Sequence, residues 1–580
     1  MAFLDVHQSL TGRRWIGPSD QDSRMAQAMA QQTGHPFALC AVLSRLKVTP
    51  DTADAYLNPQ LKHLLPDPQS LLDMNTASSR LVNAVKARES IAVFADYDVD
   101  GASSAALLLI WLRELGHSAS LYVPDRIDEG YGPNETAMRA LATDHDLIIC
   151  VDCGTLSHGP IAAAQDADVI VLDHHLGGET LPNCSAVVNP NRQDETGALA
   201  HLCAAAVVFL CLVNCNRMLR ETGSKVPDLM ALLDLVALAT VADVAPLIGV
   251  NRAFVTQGLK VMARRERAGL KALADQAKLD SAPTSYHLGY VLGPRINAGG
   301  RVGRADLGAR LLSAQDMREA QGLAAELDQY NHERRSIEEE VRAAAFAQAE
   351  ARGFEAPLVW AAGEGWHPGV VGIVASRLKE ATNRPAIVIG LDGDEGKGSG
   401  RSVRGIDLGA AIQNLAMNGQ LIKGGGHKMA AGLTVETTKL ETAMKRLAEL
   451  LKQQGADQLG PADLKLDGLL MCSGATLELL DLLEQAGPFG AGASGPKYVF
   501  ANVTLSYAKR VGDTHIKLRF GDGLGKTVDA IGFGAYESDL GAALEHHDGQ
   551  RFHIAGRLEK NVWQGRTSVQ VKLEDAARAS

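Results

Sequence analysis

Three carboxylates stand at alternate positions, Asp96, Asp98 and Asp100, directly after the apolar run Ile91–Ala95. Like charges packed this closely repel and raise one another's pKa. Divalent cations would remove that cost, whereas an acidic, solvated turn is the ordinary alternative. Further ligands at the ends of other elements decide between the two. Leu147–Val151 runs straight into Asp152, and Val169–Leu172 runs straight into Asp173-His174-His175. An apolar helix ends at Ala242 before Asp243, where Pro246 forbids its continuation. Four such positions in one domain are more than capping acids and core histidines account for. Oxygen-rich donors with one or two imidazoles suit Mn²⁺ or Mg²⁺ rather than structural zinc. Cys150-Val151-Asp152-Cys153 is formally a CxxC, but no second pair stands at zinc-like spacing, and the segment reads as a strand end.

The elements that must position these groups alternate regularly. Ile91–Ala95, Ala119–Val123, Leu147–Val151, Val169–Leu172 and Ala186–Val188 are short apolar strand candidates. Leu107–Leu115, Glu135–Ala142, Ile161–Gln165 and Ala200–Leu219 are helix candidates between and after them. Such alternation predicts βαβ units and a parallel sheet, whose ligands gather outside the carboxyl ends of the strands.

The whole chain sets the limits. At 580 residues it allows roughly three or four domains, and 46% hydrophobic with 22% charged residues is ordinary for a soluble globular protein. A net charge of −11 argues against a uniformly basic coat but leaves room for a local basic groove. Met1–Trp15 has no signal-peptide core, and the longest apolar run, Leu202–Val213, is too short to span a bilayer. The expectation is no membrane and a cytoplasmic location. The eight scattered cysteines suit reduced thiols better than a disulfide framework.

The set Asp96-Tyr97-Asp98-Val99-Asp100-Gly101, Val151-Asp152, Asp173-His174-His175 and Val241-Ala242-Asp243 resembles the ordered motifs of the DHH phosphoesterase superfamily. Gly424-Gly425-Gly426-His427-Lys428-Met429-Ala430-Ala431-Gly432 resembles the signature of the DHH-associated domain. Within the superfamily the chain is most similar, from about residue 45 to its last, to the RecJ family of single-strand-specific 5′ to 3′ exonucleases. Asp152 is followed by Cys153 where that family usually has asparagine, and Ala298-Gly299-Gly300-Arg301 replaces the usual Ala-Ala-Gly-Arg.

The resemblance implies two Mn²⁺ or Mg²⁺ ions held by Asp96, Asp98, Asp100, Asp152, His174 and Asp243. It implies that His175 lies beside the scissile phosphate and that Asp173 orients His174. Arg126, in Asp125-Arg126-Ile127-Asp128-Glu129-Gly130-Tyr131-Gly132, would hold the 5′ phosphate, which a guanidinium fork suits. Arg295 and Arg301, in a glycine-rich cationic loop from Gly293, would face the substrate. His367, Arg401, Ser402, Gly426 and His427 would form the other wall of a nucleic-acid channel.

The remaining chain supplies framework. Residues 1–75 read as a polar helical extension, 76–305 as the DHH domain, and 306–353 as a connecting helix with Ser313 and Asp316 as its cap. Residues 354–455 read as a second α/β domain, with strands Leu358–Ala361 and Ala386–Ile389 and a helix through Val370–Glu380. Short alternating strands from Val503 to Leu573 place a small β-barrel, an OB-fold by resemblance, in 456–580. Its Tyr507, Lys509, Arg510, Lys517, Arg519, Phe520 and Lys526 could form a single-strand platform. The expected protein is therefore α/β with a C-terminal barrel. It is an exonuclease on single-stranded DNA that releases 5′ mononucleotides in recombination and repair, with single-strand-binding protein and a helicase as partners. A short-substrate phosphodiesterase would share every metal motif but needs no barrel, and a non-catalytic relative would be expected to have lost ligands.

Overall fold

The computed structural model describes residues 2–126, 128–563 and 565–579, so Ile127 of the Asp125–Gly132 motif lies outside the described residues. The chain forms two units. Leu61–Leu459, with Gly490–Gly492, make one. Residues up to Gln60, Gly460–Phe489 and the chain from Ala493 onward make the other.

The larger unit holds two sheets. In the first, five parallel strands lie in the order Ala119–Tyr122, Ile91–Ala95, Leu147–Val151, Asp168–Leu172, Ala186–Val188. Ile91–Ala95 and Leu147–Val151 are buried throughout, as continuous apolar runs in a parallel sheet require. The second strand in sequence lies outside the first, and the third lies on its other side. The connections therefore reverse direction between Ile91–Ala95 and Leu147–Val151, which opens a crevice at their carboxyl ends. Asp96 and Asp152 are the first residues beyond those two strands.

The helix expected after the acids, through Leu107–Leu115, begins among them instead, at Val99, and runs to Glu114. Asp98 caps it, accepting from the amides of Asp100 and Gly101. A run of acids that reads as a loop is thus a cap and a first turn. The expected Ile161–Gln165 helix is the single turn His158–Ala162. The supposed cationic loop from Gly293 to Arg301 is instead a helix, Gly293–Val302, entered through a π-helical turn at Leu288–Leu292. Its glycines serve close packing: a Cβ on Gly300 would lie 2.8 Å from the Cβ of Tyr97.

The long helix runs Met317–Arg352, with Asp316 alone as its cap, and Ser313 closes a separate helix, Leu307–Ser313. At 1.5 Å per residue it spans on the order of 54 Å. It packs on helices Ala268–Gln276 and Gly293–Val302 toward one end, and on helix Pro368–Thr382 and strand Val359–Glu364 toward the other. The second sheet is ordered Lys423–His427, Ala430–Glu436, Glu395–Arg401, Ala386–Asp392, Val359–Glu364, and only the last pair is parallel.

In the other unit, Tyr498–Val511, His515–Gly521, Thr527–Gly532, Arg566–Arg578 and Arg551–Trp563 close into a five-stranded barrel through the pairing of the first with the last. The first sixty residues belong with it: Met29, Leu39 and Leu43 share one core with Phe500, Phe520 and Phe552. Trp15–Ile16 pairs in parallel with Leu464–Lys465, and the Trp15 indole donates to Asp575 at 2.9 Å.

Candidate active site

Four strand or helix ends and one capped turn converge at the crevice. His174 stands at the centre, its Nε2 3.3 Å from Asp152 Oδ1 and 3.7 Å from Asp100 Oδ2, its Nδ1 3.8 Å from Asp243 Oδ2. Donor atoms of Asp96, Asp98 and Asp152 lie within 4.8 Å of one another, as do those of Asp100, His174 and Asp243, and those of Asp152, His174 and His175. All six expected ligands are thus brought together.

These groups are poorly satisfied as they stand. Oδ1 of Asp96 and Oδ1 of Asp152 are buried and accept no hydrogen bond. Burial, followed by the charge of Asp98, pushes Asp96 well above the carboxylate range, and burial with Asp100 and Asp98 does the same to Asp152. Asp243 is driven up to about 8 by burial, Asp100 and Asp98. Asp152 also holds a left-handed backbone, φ 59°, which costs a non-glycine residue of order 1–3 kcal/mol. Orphaned buried oxygens, mutual repulsion and a strained backbone at one point are what a cation site predicts. The oxygen-rich donor set fits Mn²⁺ or Mg²⁺.

Asp173 differs from its expected role. Its carboxylate accepts from the His175 ring (Nδ1, 2.8 Å) and from Thr155 Oγ1 at 2.6 Å, and reaches His174 only at the backbone amide. It orients His175, not the His174 ring. Burial alone would raise the Asp173 carboxyl, but the bonds from His175 and Thr155 hold it well below the usual range. Burial alone would lower His175, but Asp173 outweighs it and raises the imidazole to about 9. The Tyr131 hydroxyl donates to the Asp152 carbonyl at 3.1 Å and lies 3.1 Å from His175 Nε2.

A cationic wall stands beside the acids. The Arg126 guanidinium lies 5.2 Å over the Tyr97 ring, and its charge bears on Asp96, Arg301, His367 and Arg401. Burial and the neighbouring Arg126 and Arg334 lower Arg301 to about 10. Arg301 donates to the Gly369 carbonyl at 3.0 Å, and His367 caps the helix at Pro368 through a bond from the Gly369 amide. Arg401 donates to Ser399 Oγ and to its neighbour's carbonyl, at the end of its strand. Gly426 and His427 are exposed at the end of theirs.

Two expected residues are committed elsewhere. Arg295 pairs with Asp328 of the long helix at 2.8 Å and donates to the Val291 carbonyl, so it fastens two helices together. Ser402 is buried and donates to the Ile406 carbonyl at 2.9 Å, closing a turn. Conversely, Thr155, Asn189 and Asn191 escaped the sequence reading. Asn189 donates to Thr155 Oγ1 and to the His175 carbonyl, and Asn191 donates to the His174 carbonyl at 2.6 Å. The signal was available: Asn189-Pro190-Asn191 follows the fifth strand as Asp152 follows the third.

On the barrel, Tyr507 faces Arg519 and Lys509 faces Lys517 across one strand pair, all four exposed. Phe520 points the other way and is fully buried, so it is core rather than platform. Arg519 is paired with Asp529 at 2.7 Å.

Residues 90–240 match the DHH family N-terminal domain, 355–453 the DHHA1 domain, and 466–575 the RecJ OB domain. The chain is 35% identical over 579 residues to the single-stranded-DNA-specific exonuclease RecJ of Salmonella typhimurium, covering 96% of this chain and 99% of that one. The crystal structure of Thermus thermophilus RecJ in complex with Mn²⁺ superposes with a TM-score of 0.80 at 27% identity, covering 97% of this chain and 79% of that one. The same protein in complex with Mg²⁺ gives 0.74 at 26% identity, covering 97% and 78%.

Proposed function

The chain belongs to the RecJ family of DHH phosphoesterases, and from that membership we infer that it is a metal-dependent, single-stranded-DNA-specific exonuclease that hydrolyses strands from the 5′ end to 5′ mononucleotides, in DNA recombination and repair. The observation that carries this reading is the convergence of five carboxylates and His174 at the sheet crevice, with buried unpartnered oxygens beside a wall of arginines.

Asp96, Asp98 and Asp152 would hold one ion, and Asp100, His174 and Asp243 the other, with Asp152 near enough to His174 to lie between them. When bound, two Mn²⁺ or Mg²⁺ ions supply Lewis acidity at the scissile phosphodiester and offset the charge of the acids. Asp173 raises the His175 imidazole to about 9, and its second nitrogen, Nε2, which meets the Tyr131 hydroxyl at 3.1 Å, is the one that would turn to the phosphate or to the leaving oxygen. Thr155 and Asn189 fix Asp173 and the His175 backbone, which sets the ring's direction. Arg126, Arg301, Arg401, His367, Gly426 and His427 serve as the clamp on the terminal phosphate. Guanidinium forks suit a dianionic end. The buried cations repel one another and gain most when an anion arrives.

Tyr507, Lys509 and Lys517 on the barrel are proposed to grip the rest of a long strand by stacking and backbone neutralisation. Among the described residues no helix is long and apolar enough to cross a membrane. We place the enzyme in the cytoplasm with single-strand-binding protein and a helicase as partners, a setting that suits eight free thiols, most of them buried. Digestion of end-labelled single- and double-stranded DNA with Mn²⁺ tests the reading. Release of labelled 5′ mononucleotide from the single strand alone is expected, and endonucleolytic fragments or equal attack on the duplex would overturn it.

A further inference from the structure

A groove of about 460 Å³ opens behind the acid-bearing turn, lined by Tyr290, Pro294, Asn297, Arg301, Arg334 and Arg377, among others. Asn297 and Arg301 join it to the catalytic crevice. Asn297 Oδ1 accepts from the Val99 amide at 3.0 Å, inside the turn that carries Asp98 and Asp100, and Arg301 feels the charge of Asp98. The same two side chains therefore face the acids on one side and line the groove on the other.

The groove is built for an anion with a flat ring. Arg334 is only 8% exposed: it donates to Glu338 and to Asn331 Oδ1 at 3.0 Å, its unpartnered Nε is itself buried, and it adds charge to the groove wall without offering a free donor. Arg301 and the exposed Arg335, which also lines the groove, pair with no carboxylate among the described residues. Glu338 balances Arg334 and lies 3.9 Å from Arg377, which also pairs with Glu380 at 3.2 Å; Glu339 pairs with Arg342. A surplus of positive charge remains. Tyr290 lines the groove, and Tyr286, outside that lining, stacks on it at 5.1 Å with 27° between their planes; they are 69% and 55% exposed. An apolar platform of this kind, standing in water beside arginines, matches the face of a nucleobase. The Tyr290 segment is the π-helical turn Leu288–Leu292, a local irregularity of the sort that accompanies functional sites.

We propose that this groove binds a nucleoside 5′-monophosphate, with the base on Tyr290, backed by Tyr286, and the phosphate on Arg301 and Arg335, and that it receives the nucleotide released at the crevice. The proposal rests on the exonuclease reading for the origin of that nucleotide. The same chemistry could also belong to a nucleotide still within the strand, and the test separates the two sources.

The full chain, with Mn²⁺ present, is titrated calorimetrically with thymidine 5′-monophosphate, and the same nucleotide is added as an inhibitor of single-strand hydrolysis. The variants are Tyr290→Ala and Arg335→Ala, with Tyr290→Phe retaining the ring; thermal melting checks that each folds. Loss of one stacked base predicts binding weakened at least about fivefold in Tyr290→Ala. The inhibition constant should rise by the same factor, and Tyr290→Phe should behave as the parent. The initial rate and the KM for a long single strand should not change. Unaltered nucleotide binding in both alanine variants would overturn the groove as a nucleotide site. A raised KM for the strand with an unchanged inhibition constant would overturn its assignment to the released nucleotide and make it part of the strand's path. The calorimetric arm needs no turnover, so a protein that binds the nucleotide here but hydrolyses no DNA would fail the exonuclease reading alone.

Discussion

Asp173 Oδ1 accepts from His175 Nδ1 at 2.8 Å, while the adjacent imidazole of His174 is surrounded by Asp100, Asp152 and Asp243. The two adjacent histidines thus stand in different surroundings: Asp173 raises the pKa of one, and three carboxylates that with it could hold a cation enclose the other.

That division predicts different losses. His175→Gln should lower kcat by roughly 10²–10⁴-fold, the usual worth of a positioned proton donor, with Mn²⁺ affinity largely retained. His174→Gln should lose Mn²⁺ affinity together with activity. Calorimetric Mn²⁺ titration beside steady-state kinetics checks both. Equal loss of metal binding in the two variants would show that both imidazoles are ligands.

End recognition is the second expectation. Arg126→Ala should weaken binding of 5′-phosphorylated single strands more than of 5′-hydroxyl strands, because a charge-assisted contact to the phosphate is removed. Competition binding with the two oligonucleotides measures the ratio. If both ends weaken alike, Arg126 merely lines the channel.

The turn itself is sterically fixed. A Cβ on Gly101 would stand 2.3 Å from the Asp96 carbonyl oxygen. Gly101→Ala should therefore destabilise the larger unit by about 1–3 kcal/mol and depress activity. Gly322, exposed within the long helix, has nothing within 4 Å of the corresponding position. Gly322→Ala should stabilise by about 1 kcal/mol, and denaturant unfolding of both variants would reveal the contrast.

A pH effect belongs to the barrel. Burial alone would raise the Glu574 carboxyl, but Arg557 at 2.6 Å and Lys497 at 2.7 Å hold it below its ordinary value of 4.5. A folded-state pKa below the unfolded one means stability that is fully present above 4.5 and lost as pH falls through the depressed folded value. Glu574→Gln should accordingly melt below the parent at neutral pH, with the gap closing under acid. A gap that is independent of pH between 3 and 7, on the order of that range, would remove the ion pair from the account.

Much of this was legible in the sequence, and for one reason: strands deliver ligands at their ends, and apolar runs that stop at an acid announce both. Asp152 and the run Asp173-His174-His175 followed from that rule, Asp243 from an apolar helix that stops at an acid, and the choice of His174 among them came from the family resemblance. What escaped depends on where a side chain turns after the backbone is placed. Arg295 has the same local signal as Arg301, yet one meets Asp328 on a helix distant in sequence and the other meets the crevice. Gly299 and Gly300 read as loop formers because glycine has no propensity for helix interiors. Within the helix they leave room for close neighbours, Gly299 for the Arg304 carbonyl and Leu327, and Gly300 for Tyr97. Phe520 and Tyr507 both looked like stacking residues, and only the two-residue period of the strands separates core from surface.

The joining of the first sixty residues to the barrel has a consequence during synthesis. Trp15, Met29, Leu39 and Leu43 emerge from the ribosome first, but the strands and helices that cover them begin only at Gly460. At 5–20 residues per second that is a wait on the order of 20–80 s. Throughout it the larger unit can complete its own core, while an apolar segment ahead of it has no mate. The nascent chain therefore spends most of its birth with an unclosed seam, a stage at which a chaperone that shields exposed apolar segments would decide the yield of folded enzyme.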